Sequence, residues 1–252
     1  MSIRPGIEVA SLSDLGCQRE NNEDSYSYWE AANDAEFAQK GRLAVVADGM
    51  GGHEGGQEAS RLAVEAIQET YAGTSTTDPQ TLLTAGFIAA HQRIQRYAAD
   101  HPTLRGMGTT ATAIVILADR LYYAHIGDSR LYRVTKEEVA RLTHDHSYVG
   151  RLVDSGVITA EEAEAHPQRN ILTAALGAGA EAAVEAPELP IPLQAGDNLV
   201  LCTDGLWGQI TDQELQRAVL QNSAATACRA LVNLARERGG PDNITVQVLR
   251  VT

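Results

Sequence analysis

Three apolar stretches of this chain end on an aspartate: "LAVVAD" at Asp48, "YYAHIGD" at Asp128 and "NLVLCTD" at Asp204. Two more aspartates stand just ahead of such stretches, Asp24 before "SYSYWE" and Asp242 before "NITVQVLRV". If those two strands run antiparallel to the first three, strand ends and strand starts share one edge, and all these carboxylates gather there. Crowded carboxylates repel and need a counter-charge. A hard divalent cation supplies one, and an all-oxygen ligand set selects Mg2+ or Mn2+ over zinc. Asp48 also opens a glycine-rich run, "GMGGHEGG", so the Gly49 carbonyl can approach the same ion with no Cβ in the way. Each aspartate taken singly reads as a turn or a helix cap. Their recurrence at strand ends is what points to metal.

Other routes to phosphate chemistry fail on spacing. A dinucleotide-binding G-x-G-x-x-G begun at Gly49 and Gly51 needs a third glycine where Glu54 stands. The P-loop lacks its Gly-Lys-Ser/Thr, and the acidic spacing of an EF-hand is absent. A cysteine nucleophile would need an arginine six residues on. Cys17, Cys202 and Cys228 have Glu23, Gly208 and Leu234 there. The only lysines, Lys40 and Lys136, follow no glycine-rich loop, so phosphate binding must rest on arginine or metal. A metal-bound water is left as the nucleophile.

The elements that must carry these residues can be read from periodicity. Residues 7–14 and 25–30 alternate like half-buried strands, and 42–48 is a fully buried one. Ala59, Leu62, Ala63, Ala66 and Ile67 fall at helical spacing, as do Leu83, Phe87, Ala90, Ile94 and Tyr97 in a helix opened by Asp78-Pro79. Residues 109–118, 120–128, 130–134 and 138–143 form a run of strands joined by tight turns. Residues 144–172 read as helical and polar, with a capping box at Thr159; 183–191 and 197–204 return to strand. A helix capped at Thr211, another over 224–238 and a closing strand complete the chain. Connections this short favour antiparallel sheets, with helical pairs covering the outer faces. The expectation is an α+β fold, a four-layer α-β-β-α sandwich.

Composition bounds the rest. The chain has 252 residues, 44% hydrophobic and 21% charged, enough for a sizeable core. A net charge of −13 without basic clusters argues against a nucleic-acid partner. Three cysteines with no C-x-x-C suit a reducing compartment, and no apolar run reaches membrane-spanning length. The expectation is a cytoplasmic protein with no membrane partner. Cys202, between apolar strand residues, reads as a buried core thiol.

In order along the chain, "RENNED" (19–24), "ADGMGGHEGG" (47–56), "GMGTT" (106–110), "GDSR" (127–130), "TDGLW" (203–207) and "PDNIT" (241–245) resemble the motifs of the protein phosphatase 2C family in its compact bacterial form. These are metal-dependent serine/threonine phosphatases. The resemblance covers essentially all of residues 1–252 as one domain, and implies paired antiparallel sheets flanked by helical pairs, with a flap over about 144–172. It implies two Mn2+ or Mg2+ ions bridging a water. Asp48 would bridge both, with the Gly49 carbonyl on one. Asp204 and Asp242 would hold the other, and Asp24 would act largely through metal-bound waters, with Glu23 beside it. Arg19 matches the phosphate-binding arginine, whose planar fork can hold two phosphoryl oxygens. His53 would either protonate the leaving alkoxide or simply order its loop.

Two positions depart from the pattern. Met50 stands where some members place a histidine, and Gly208 where many place an aspartate that helps hold a third metal. Asp128 and Asp204 remain for that ion. His144 and His146 form an H-x-H that reads as structural more readily than as a metal pair. The resemblance implies phosphoproteins as substrates, produced by a bacterial-type Ser/Thr kinase; the lack of a membrane-spanning or sensor segment in the sequence leads to the expectation of a free-standing monomer. A hydrolase of small phosphoesters and an inactive phosphoprotein-binding module are the alternatives.

Overall fold

The computed structural model describes residues 4, 6–51, 54–74 and 78–252. Strands and helices are numbered in chain order. One sheet runs β1 (Ile7–Asp14), β11 (Ile244–Val251), β10 (Asn198–Cys202), β7 (Arg130–Val134), β8 (Val139–Arg141). The other runs β2 (Asp24–Glu30), β3 (Arg42–Met50), β5 (Ala111–Leu117), β6 (Arg120–Ile126), β9 (Ile191–Pro192), with β4 (Gly108–Thr109) paired to the end of β3. The strand pairings within both sheets are antiparallel.

Alternation along the central strands explains the layers. On β3, Leu43, Val45 and Ala47 face one core and Ala44 and Val46 the other. The first set packs on α2 (Glu54–Gly73) and α3 (Pro79–Asp100) through Ala63, Ile67, Leu83 and Phe87. The second meets Leu199, Leu201 and Leu249 of the opposite sheet. On β10, Val200 and Cys202 turn outward to α7 (Asp212–Gln221) and α8 (Ala224–Glu237). Burial on both faces is why these antiparallel strands read as continuous apolar runs rather than as half-polar ones. The result is the expected four-layer α-β-β-α sandwich, with Cys202 buried in an outer core.

Three local expectations change. A short helix, α1 (Asp34–Lys40), follows β2, started by Asn33, whose Oδ1 accepts from Glu36 N at 2.9 Å, and ended at Gly41 with φ 61°. Residues 183–191 are not a strand: Glu185 makes an isolated bridge to His125 and only Ile191 begins β9. Pro187 and Pro190 have no N–H to donate to a ladder. Residues 144–172 are only partly helical, as α4 (Tyr148–Asp154) and α5 (Ala160–Glu164); the Thr159 and Thr211 capping boxes both form. Among the described residues, no helix is long and apolar enough to cross a membrane.

Candidate active site

Antiparallel register sets Asp24 directly opposite Asp48, where β2 begins and β3 nears its end. The β5–β6 hairpin sends the chain through Gly127, at φ 104°, into Asp128. From the other sheet, β10 runs through Thr203 into Asp204, the first residue of α6 (Asp204–Trp207), and Asp242 lies just ahead of β11. Both sheets thus deliver acids to one edge of the sandwich. A cavity of about 560 Å3 opens there, lined by Asp48, Gly49, Asp128, Asp204 and Asp242, with Glu23 and Arg19 at the same wall. Asp24 does not line it. Its carboxylate is buried, and its Oδ2 accepts from Thr203 Oγ1 at 2.9 Å.

The Asp48 backbone is pinned from three directions. Its N–H donates to Thr110 Oγ1 at 3.0 Å, and its carbonyl accepts from Thr110 N and Thr109 Oγ1 at 2.9 and 2.8 Å. Asn243 ties the first motif to the last: its Oδ1 accepts from Glu23 N at 2.8 Å, while its Nδ2 donates to the carbonyls of Leu15 and Asn21. The glycines also meet protein. A Cβ on Gly49 would overlap the Gly56 carbonyl oxygen, and one on Gly56 would overlap Glu23 Oε2. The bare backbone therefore admits protein, letting the start of α2 close against Glu23 and the end of β3.

Electrostatics make this edge costly without a cation. Burial, reinforced by Asp24, Asp204, Asp128 and Asp242, holds the Asp48 carboxyl well above the usual carboxylate range. Burial and Asp204 do the same to Asp128, and burial with Asp242 pushes Asp204 up to about 6. Asp24 is pushed up to about 7, chiefly by burial, against the lowering effect of hydrogen bonds from Thr245 and Thr203. Asp48 and Asp204 line the same cavity, and carboxylates crowded this way are relieved by a proton or a cation among them. Asp24 Oδ1 and Asp204 Oδ1 are buried without a hydrogen-bond partner. An oxygen-only donor set with unsatisfied carboxylate oxygens fits hard divalent cations.

Arg19 reaches into this edge, its NH2 2.6 Å from Asp242 Oδ2, and remains half exposed. His53 lies outside the described residues. The expected flap leaves and rejoins the sandwich at one point: Tyr148 N donates to Ile171 O and Thr173 N to His146 O, both at 2.7 Å. Arg130 anchors that point. Its guanidinium binds both oxygens of Asp145, at 3.0 and 2.6 Å, and stacks 3.5 Å from the centre of the Trp207 ring. Trp207 Nε1 in turn donates to the Asp128 carbonyl at 2.9 Å. One arginine thus links the flap's base, the Asp128 turn and the Asp204 helix. Its presence in "GDSR" was legible, but its partners, seventy or more residues apart in the case of Trp207, were not.

A family model described as Protein phosphatase 2C matches residues 18–239. The chain belongs to the protein phosphatase 2C family. Serine/threonine protein phosphatase PstP of Mycobacterium tuberculosis is 39% identical over 245 residues, covering 97% of this chain. This chain spans only 45% of that relative's length. Protein phosphatase PhpP of Streptococcus pneumoniae is 37% identical over 248 residues, covering 96% of this chain and 97% of PhpP. Among solved structures, the catalytic domain of PstP in complex with two manganese ions is 36% identical with a TM-score of 0.82, and 98% of each chain is covered. The phosphatase 2C motifs and the acidic edge therefore coincide: every aspartate in that cavity belongs to one of the six motifs.

Proposed function

We propose that this chain hydrolyses phosphoserine and phosphothreonine in proteins at the acidic edge, using Mn2+ or Mg2+. The observation that carries this reading is the meeting of Asp48, Asp128, Asp204 and Asp242 with Arg19 in one cavity. It is supported by the family and by the manganese-bound relative. Bound there, two divalent ions would supply an activated water and neutralise phosphoryl oxygens. Asp48 and the Gly49 carbonyl would hold them from one sheet, and Asp204 and Asp242 from the other. Glu23 would act through water, Asp24 would support the cluster from its buried position, and Asp128 would serve a third ion. Arg19, already beside Asp242, would take two phosphoryl oxygens in its fork and orient the ester for in-line attack. Residues 1–252 would work as one domain, a cytoplasmic monomer acting on the products of a bacterial-type Ser/Thr kinase.

The test is phosphopeptide hydrolysis with and without Mn2+, beside an Asp204→Ala variant and a small aryl phosphate. Manganese-dependent release of phosphate from the peptide, lost in the variant, is expected. Turnover of the aryl phosphate alone would replace the protein substrate with a small phosphoester. Full activity in Asp204→Ala would overturn the site.

A further inference from the structure

The H-x-H of residues 144–146 has no place in the acidic edge, and the fold gives it other partners. A second cavity, of about 370 Å3, opens at the base of the flap and is lined by His144, His146 and Glu185 among others. Glu185 lies 41 residues beyond His144 and is brought in by its bridge to His125, with backbone bonds of 2.8 Å in both directions. Ligand atoms of His125, His146 and Glu185 all lie within 4.8 Å of one another. His144 Nδ1 sits 3.2 Å from Glu185 Oε1, and His146 Nε2 3.9 Å from Oε2.

We propose that His125, His146 and Glu185, with His144 at the mouth, bind a borderline transition-metal ion such as Zn2+, separate from the oxygen-lined edge. The donor chemistry selects the metal: two or three imidazoles and one carboxylate suit zinc and its neighbours, not Mg2+. Bonds of about 2.0–2.1 Å at tetrahedral angles place ligand atoms roughly 3.4 Å apart, so closing from the 4.8 Å limit needs up to roughly 1.4 Å of movement, shared between the ligands. His144, exposed at the mouth, has the freedom to follow.

The surroundings of each ligand are compatible with an ion. His144 N–H donates to Glu185 Oε2 at 3.0 Å and steadies the carboxylate, while Tyr123 OH, whose proton has the Leu142 carbonyl at 2.7 Å, lies 3.2 Å from Oε1. His125 Nδ1 is 2.8 Å from Thr112 Oγ1, which is 3.0 Å from the Ser129 carbonyl. Without metal, His125 Nε2–H donates to the carbonyls of Gly127 and His144, and Thr112 donates to Nδ1. With metal on Nε2, the proton sits on Nδ1 and passes to Thr112, which turns its own proton to Ser129. Along this His125–Thr112–Ser129 relay each donor keeps an acceptor in both arrangements, and an outer-shell partner of this kind fixes the ligating tautomer. Burial pulls His125 down to about 4 and lowers His146 as well, the direction that leaves imidazole lone pairs available. On His146, ligation through Nε2 moves the proton to Nδ1, at the cost of the 3.3 Å bond from Gly127 N–H.

The proposal does not depend on the phosphatase reading, and its test separates the two. Zinc binding is measured by equilibrium dialysis on an Asp48→Asn/Asp204→Asn chain, in which the acidic edge is disabled. That chain should retain one Zn2+, and adding Glu185→Gln or His146→Ala should remove it. Thr112→Val should weaken binding about 10- to 100-fold. Glu185→Gln keeps the side chain's size, so the test survives if His146→Ala fails to fold. No zinc on the disabled chain, or zinc indifferent to both substitutions, would overturn the assignment.

Discussion

Two cavities lie side by side and share a wall made of Thr173, Ala174 and Ala183. The wall of one carries four aspartates; the other sets His144 and His146 among Asp145, Asp154, Glu185 and Arg151, with His125 buried behind Glu185, and burial treats acids and imidazoles oppositely. It raises the acids, Asp204 to about 6 and Asp24 to about 7, and lowers His125 to about 4. Both kinds of group are driven toward neutrality, because a charge taken out of water without a partner is expensive. What distinguishes the cavities is what relieves them. The acids need added positive charge, whereas the imidazoles are content when neutral and offer lone pairs. Proximity in the fold therefore does not imply a shared metal.

The comparison breaks most sharply at Asp48. Asp48→Asn should reduce phosphopeptide turnover on the order of 10³-fold while raising the melting temperature of the metal-free protein at pH 7.5. A metal-free variant no more stable than its parent would mean that the acids are not in conflict. Kinetics and thermal melts on the same preparation decide both halves.

The pH response should have two limbs of opposite sign. On the acidic edge the folded pKa values lie above the unfolded ones. Their stabilising contribution is complete below about pH 4 and is lost as pH rises through 6 to 7, where the native state holds more protons than the unfolded chain. Metal-free protein should therefore lose stability over that range, and the gain from added Mn2+ should grow with pH. A manganese-induced shift equal at pH 5 and pH 7.5 would contradict this. His125 runs the other way: its contribution is present above about 6.5 and lost as pH falls toward 4, up to about 3 kcal/mol. Asp48→Asn should flatten the first limb and His125→Asn the second, as read from denaturant unfolding at a series of pH values.

Smaller effects sharpen the picture of the acidic edge. Gly49→Ala should cost about 1–3 kcal/mol in denaturant unfolding, because its Cβ meets the Gly56 carbonyl rather than open space. Arg19→Ala should lower kcat/KM for a phosphopeptide about 10- to 100-fold, the range for hydrogen bonds to a charged group, with the global fold unchanged by circular dichroism. A loss confined to stability would make Arg19 merely the partner of Asp242.

The acidic edge was legible because each aspartate ends or precedes an apolar run, and antiparallel pairing converts that position into convergence. The β-rich layers were legible for the same reason, through runs such as Leu43–Ala47 that are buried on both faces. What escaped was set by tertiary placement. Asp24 occupies a strand start like Asp242, yet its carboxylate goes to Thr203 instead of the cavity. Helix α1 is short and polar, and only Asn33 and Gly41 announce it. Glu185 carried no signal, since its meeting with His125 and His146 depends on an isolated bridge in a segment broken by prolines.

The flap's ends clasp each other, through Tyr148 to Ile171 and His146 to Thr173, at the point where His146 N also donates to the Gly127 carbonyl. Residues 148–171 thus lie beyond a closed neck, with Asn170 at the wall of the acidic cavity. Such a piece can be traded between relatives or redesigned at its tip while the aspartates stay where they are. Changes beyond that neck can then remodel the surface beside the cavity without moving the strands that carry the aspartates.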